Sequence, residues 1–119
     1  MCGLAGILSS RPNKNIIHHI TKMSASLVHR CPNSEGICSI NNVGFGHRRL
    51  SIVDLSNNGS QPMKSFCGRY VIAFNGEIYN HLELRDQLAR EGVPQKWKGH
   101  SDTETLLSSI STSGIDEAL

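Results

Sequence analysis

Cys2 stands directly behind Met1 in the opening stretch "MCGLAGIL". Removal of the methionine, usual when a small residue follows it, leaves a residue with both a thiol and a free α-amine. The reference pKa of such an amine, about 7.7–8.0, suits a base at neutral pH. A nucleophile activated by its own terminal amine needs no histidine. Three other stretches offer groups that complement it. "GHRRLSIVD" (46–54) carries two arginines, whose planar fork matches a carboxylate. "FNGEIYN" (74–80) sets the amide of Asn75 beside the N–H of Gly76, two donors able to stabilise an oxyanion in acyl transfer, with Glu77 next in line to meet a cation. "SDTE" (101–104) supplies Asp102, a carboxylate that can receive an ammonium. Together these groups describe a receptor for an α-amino acid with an amide side chain, and glutamine fits.

Taken singly, each stretch also has a plain structural reading. Cys2 is a small residue opening a strand, and the arginines are solvated at a strand end. Asn75-Gly76 is a turn signal. Asp102 is a helix cap. Only their combination points to chemistry.

The elements that must position these groups follow from the pattern. Residues 3–8 form a strand, broken by Pro12 and Asn13. Ile16, Ile20, Met23 and Leu27 recur at helical spacing and predict a helix running to Arg30 and stopped by Pro32. "GICSI" and "VGFGHRR" flank Asn41-Asn42 as a tight hairpin. "LSNNGSQPM" is a loop, and "RYVIAFN" predicts a strand covered on both faces. "NHLELRDQLAREG" is a helix with Asn80 as cap, Glu83 completing a capping box and Gly92 as the stop. "SDTETLLSSI" is a second such helix, capped by Ser101 or Asp102 and ended by Gly114. "IDEAL" opens a further element, so the chain reads as the front part of a larger domain.

The 119 residues suffice for one modest domain, and the net charge of +2 with 5% aromatic residues makes no case for nucleic acid or a membrane surface. No apolar run approaches the roughly 20 residues of a membrane span. "GLAGIL" lacks the basic region and cleavage site of a signal peptide, and no hydrophobic segment precedes Cys2 as a lipoprotein would require. A cytoplasmic location is expected. Cys2, Cys31, Cys38 and Cys67 are then expected as free thiols. Cys31 and Cys38, with His29 nearby, match no common zinc spacing, and no metal site is expected.

The motifs "MCGLAGIL", "HRCPNSEG", "GHRRLSIVDLS", "SQPM", "FNGEIYNHLELRDQL" and "SDTETLL", in that order, resemble the class II glutamine amidotransferases. "GHRRLSIVDLS" followed by "FNGEIYN" is similar to the asparagine synthetase branch. The resemblance implies an α+β fold of the N-terminal nucleophile hydrolase type, an αββα sandwich with antiparallel sheets, incomplete here. Residues 1–119 would be the N-terminal part of the glutaminase domain, with the synthetase domain absent. It implies hydrolysis of L-glutamine to L-glutamate and ammonia, with Cys2 forming a γ-glutamyl thioester and its α-amine as base. It implies that Arg49 grips the substrate carboxylate and that Leu50, Ile52 and Val53 line the same pocket. Asn75 and Gly76 would stabilise the oxyanion, while Glu77 and Asp102 would hold the substrate ammonium. No cofactor is implied for this chain. ATP and magnesium would serve only a C-terminal or separate synthetase domain, the implied partner and recipient of ammonia for an asparagine-synthetase-like amidation.

The family usually reads "HRGPDGEG" where this chain reads "HRCPNSEG". Cys31 and Ser34 replace glycines and Asn33 an aspartate, so strain is expected if either glycine needed a positive φ. A sheet lacking the family's later strands would expose an edge, which allows a homodimer or pairing with a second polypeptide. Two rival readings stand beside the enzyme: a truncated, non-catalytic glutamine-binding or interaction module, and a small thiol- or metal-binding protein using Cys31 and Cys38.

Overall fold

A computed structural model describes residues 2–32, 34–49, 57–93 and 96–119. The chain is α+β with antiparallel sheets and divides into two compact units. The first comprises Met1–Ile52, Ser60–Pro62 and Ala73–Asn75; the second comprises Val53–Gly59, Met63–Ile72 and Gly76–Leu119.

In the first unit β1 (Gly3–Leu8), β2 (Ser34–Ile40) and β3 (Val43–Arg49) form a sheet of order β1-β3-β2. The β2–β3 hairpin turns at Asn41-Asn42, and Asn41 takes φ 52°, the left-handed conformation asparagine tolerates. Among the described residues Asn41 is the non-glycine residue at positive φ, so Cys31 and Ser34 bear no strain of that kind. Asn33 lies outside the described residues.

Helix α1 (Ile16–Ala25) lies against β3, where two glycines let it approach closely. A Cβ on Gly44 would come 3.2 Å from Ile16 Cγ1, and one on Gly46 would come 3.2 Å from Ser24 Cβ. The buried residues of α1 are therefore Ile16, Ile20 and Ser24, one residue every four. This corrects the apolar face expected from the sequence. Met23 is exposed, and a serine fills the place where the backbones come too close for a larger side chain. The helix also ends five residues before Arg30. The N–H groups of Leu27, Val28 and Arg30 donate to carbonyls three residues back, as in tight turns.

Strand alternation sorts the side chains of β3. Arg48 lies on the α1 face, where its Nε donates to the Ser24 carbonyl at 3.3 Å and its Nη2 pairs with Glu35 at 3.0 Å. His47 and Arg49 lie on the opposite face. Segments 60–62 and 73–75 reach that face beside His47 and Gly36, which are register partners.

In the second unit β4 (Met63–Lys64) pairs with β5 (Val71–Ile72). The predicted strand "RYVIAFN" is thus a two-residue bridge, half-buried rather than covered on both faces. It breaks at Ala73 because the Phe74 N–H goes to the side chain of Gln61 rather than to a neighbouring strand. Helices α2 (His81–Arg90), α3 (Asp102–Ser113) and α4 (Ile115–Ala118) complete the unit, with Leu88, Leu106, Leu107 and Ile110 buried. Gly92 at φ 71° and Gly114 at φ 89° stop α2 and α3 as the sequence predicts. Asn80 and Ser101 occupy the N-cap positions, but neither side chain makes a capping hydrogen bond, and the capping box of α2 does not form. Among the described residues no helix is long and apolar enough to cross a membrane.

Candidate functional site

Cys2 and Asn75 are 73 positions apart and meet through two hydrogen bonds. The Cys2 backbone N–H donates to Asn75 Oδ1 at 3.2 Å, and Asn75 Nδ2 donates to the Cys2 carbonyl at 3.0 Å. The asparagine amide therefore lies along the Cys2 backbone with both ends engaged. An amide nitrogen carries two N–H bonds, so one remains to point elsewhere. Cys2 is half-buried just ahead of β1, and its thiol is free. The register of β1 against β3 pairs Gly3 with Arg48; carried one step further, it sets Cys2 across from Arg49. The first unit thus brings three of the predicted residues, Cys2, Arg49 and Asn75, to one end of one sheet. Leu50, Ile52 and Val53 lie outside the described residues.

The two arginines of "GHRR" separate into different jobs. Arg48 is tied to Glu35 and to the end of α1. Arg49, half-buried, shares the face of His47, and its charge helps lower the pKa of that imidazole. Burial is the larger cause of the lowering, and the hydrogen bond to the Phe74 carbonyl opposes it.

In the second unit Asp102 opens α3. Its Oδ2 accepts the Ile78 N–H at 2.9 Å and its Oδ1 accepts the Thr103 N–H at 2.7 Å. The carboxylate thereby ties the loop bearing Gly76 and Glu77, both exposed, to the start of the helix. Two carboxylate oxygens offer about four acceptor positions, so capacity for a further donor is left. The segment leading into Asp102 is held in turn by Arg85 and Glu104. Arg85 donates to Thr105 Oγ1 at 2.8 Å and to the carbonyls of Gly99 and Ser101 at 3.0 Å each, and stacks over Trp97 at 4.1 Å. Glu104 accepts the N–H groups of Lys98 and Gly99 and sits 3.6 Å from Arg85.

Reasoning from motifs missed His47, Gln61 and Arg85. All three lie inside recognisable motifs, and no local signal distinguishes them from their neighbours. Arg85 sat at an ordinary exposed-looking helix position. For the rival metal reading, no group of three or more His, Cys, Asp or Glu among the described residues could hold an ion.

A glutamine amidotransferase domain model matches residues 1–119. The chain is 42% identical, over 91% of its length and 17% of the relative's, to asparagine synthetase [glutamine-hydrolyzing] 1 of Bacillus subtilis. It is 35% identical to asparagine synthetase B [glutamine-hydrolyzing] of Escherichia coli, over 91% of this chain and 19% of that one. To the amidase chyE of Penicillium rubens it is 34% identical, over 91% of this chain and 17% of that one. The chain spans a quarter or less of the length of the curated relatives it matches.

Proposed function

The chain belongs to the glutamine amidotransferase domain family, and from that premise we propose that it hydrolyses L-glutamine to L-glutamate and ammonia at Cys2. With Met1 removed, the Cys2 α-amine takes the thiol proton, directly or through one water. The thiolate attacks the γ-amide carbon, giving a tetrahedral oxyanion. Collapse of that oxyanion expels ammonia, which carries away the proton held by the amine, and leaves a γ-glutamyl thioester. Water then attacks the thioester, glutamate departs and the thiol is restored. Asn75 uses the second N–H of its amide, with the Gly76 N–H, to stabilise both oxyanions. Arg49 holds the substrate carboxylate, with Leu50, Ile52 and Val53 beside it, and Glu77 and Asp102 receive the ammonium.

The observation that carries this reading is the double hydrogen bond between Asn75 and Cys2. It puts an amide donor against the backbone of the one residue that maturation would turn into a thiol with its own base. We further propose that the fold is of the αββα sandwich type and that the chain works in the cytoplasm, where thiols stay reduced. In this reading the ammonia passes to an ATP-dependent synthetase domain that amidates aspartate or a related acid. The name of the Penicillium relative, an amidase, keeps the identity of that acceptor open to direct test.

The test is glutamate release by the purified chain. Wild type turns over glutamine and Cys2→Ala does not. Asn75→Ala lowers kcat by about 10²–10³, the loss typical of one oxyanion donor. Arg49→Lys raises KM, because a point charge replaces a two-pronged donor. An inactive wild type free of Met1 would favour the non-catalytic binding module instead.

A further inference from the structure

Two side chains in the first unit grip the residue that precedes Asn75. Phe74 gives both backbone groups to them: its N–H donates to Gln61 Oε1 at 2.6 Å, and its carbonyl accepts from His47 Nε2 at 3.3 Å. A carbonyl can only accept, so Nε2 must carry a proton. Its Nδ1 is buried without a hydrogen-bond partner among the described residues, and the residue is 1% exposed. The sheet does not need these bonds, because β3 pairs with β1 and β2 through its own backbone.

The approach of Gln61 also depends on what lies beneath it. A Cβ on Gly36 would collide with the Gln61 carbonyl oxygen. Glycine at that position lets segment 60–62 lie on the sheet beside His47. His47 and Gln61, with Gly36 making room for the latter, thus hold the two peptide groups on either side of the Phe74 Cα. The next residue along is the asparagine whose amide lies on Cys2.

We propose that His47 and Gln61 are positioning residues, which fix the peptide groups of Phe74 and so aim the Asn75 amide at Cys2. The inference rests on the reading of Cys2 and Asn75 as the site of glutamine hydrolysis, and names what holds that site in place. Phe74 leaves no freedom to its neighbour while both its N–H and C=O are held. With either bond gone, the Asn75 backbone can rotate and its side chain leaves the oxyanion position. Arg49 is carried by a strand whose backbone pairing with β1 and β2 does not depend on His47 or Gln61, and Asp102 sits at the start of α3. The loss therefore falls on kcat and leaves KM little changed.

The experiment compares wild type, His47→Gln, His47→Phe and Gln61→Leu by glutamine hydrolysis and by hydrogen exchange at the Phe74 amide. Glutamine at position 47 keeps an N–H donor near the place of Nε2. His47→Gln keeps kcat within a few-fold of wild type. His47→Phe and Gln61→Leu lower kcat between about tenfold and a hundredfold, the scale of a small misplacement of reacting groups, while KM holds. Phe74 amide exchange accelerates in Gln61→Leu ahead of any change in the protection of β3. Unchanged kcat in both disruptive variants overturns the proposal, as does a His47→Gln variant as poor as His47→Phe. If wild type itself releases no glutamate, the glutaminase reading fails. The bracing of Phe74 is then judged by exchange alone, and unchanged protection in Gln61→Leu overturns it.

Discussion

In the first unit the bonds around Asn75 run between neutral groups: an amide to the Cys2 backbone, an imidazole and a second amide to Phe74. In the second unit the segment leading into Asp102 is gripped by charge, with Arg85 reaching two carbonyls and a threonine while Glu104 holds two N–H groups. Both solve the same problem, which is to fix an irregular stretch that no sheet or helix ladder can hold. They should fail differently. A neutral clamp ignores salt and costs stability when a buried member must take up a proton, because the charge is then desolvated. A charged clamp survives ordinary pH but loses heavily when one partner is removed, because the other is left desolvated.

The largest expected effect is therefore in the second unit. Arg85→Met removes three hydrogen bonds and the stack on Trp97, and strands Glu104, whose side chain is 13% exposed. We expect a loss of about 3 kcal/mol of stability, the lower end for breaking a buried pair, read from chemical denaturation. A loss below about 1 kcal/mol would mean that water replaces Arg85 and that the contrast between the units is false.

The neutral clamp is tested by pH. Burial lowers the pKa of His47 from 6.5 in the native state. The unfolded chain then takes the proton first as pH falls. The stability contributed by neutral His47 is complete above about pH 6.5 and is lost as pH drops from there toward the lowered native value. The slope is at most about 1.4 kcal/mol per pH unit. Denaturation midpoints at pH 7.5 and 5.5 should differ by more in wild type than in His47→Gln. Equal differences would remove His47 as the titrating group.

The smallest effect belongs to the pair that is half out of each category. Glu35→Gln breaks the bond to Arg48, but the Glu35 side chain is 32% exposed and Arg48 keeps the Ser24 carbonyl. A change of about 0.5 kcal/mol or less is expected, and added salt should erase part of it.

The contrast also separates what the sequence could tell from what it could not. β1, the hairpin at Asn41-Asn42, and the glycine stops of α2 and α3 were legible because strand alternation and positive φ are local properties. The face of α1 was misread at Met23 because the glycines that draw Ser24 inward lie on another strand. "RYVIAFN" looked like a long strand because its apolar alternation is real. Its shortness is set by Gln61, thirteen positions away from Phe74. The same holds at the site. Cys2 and Asn75 were recognisable by motif, and their contact is tertiary. The residues that hold them, His47 and Gln61, carry no signal that composition or spacing would pick out.

The central claim, that Cys2 is a nucleophile unmasked by loss of Met1, meets its most direct test in the intact mass of the chain after reaction with an electrophilic glutamine analogue. Cys67 is a demanding internal control, since it is exposed and the Ser65 hydroxyl lowers its pKa, so a generic alkylating agent should find it. We expect a mass lacking Met1 and carrying one adduct, mapped to Cys2 and absent in Cys2→Ala, while Cys67 is spared. An adduct at Cys67 with Cys2 untouched, or labelling at Cys2 with Met1 still attached, would contradict it.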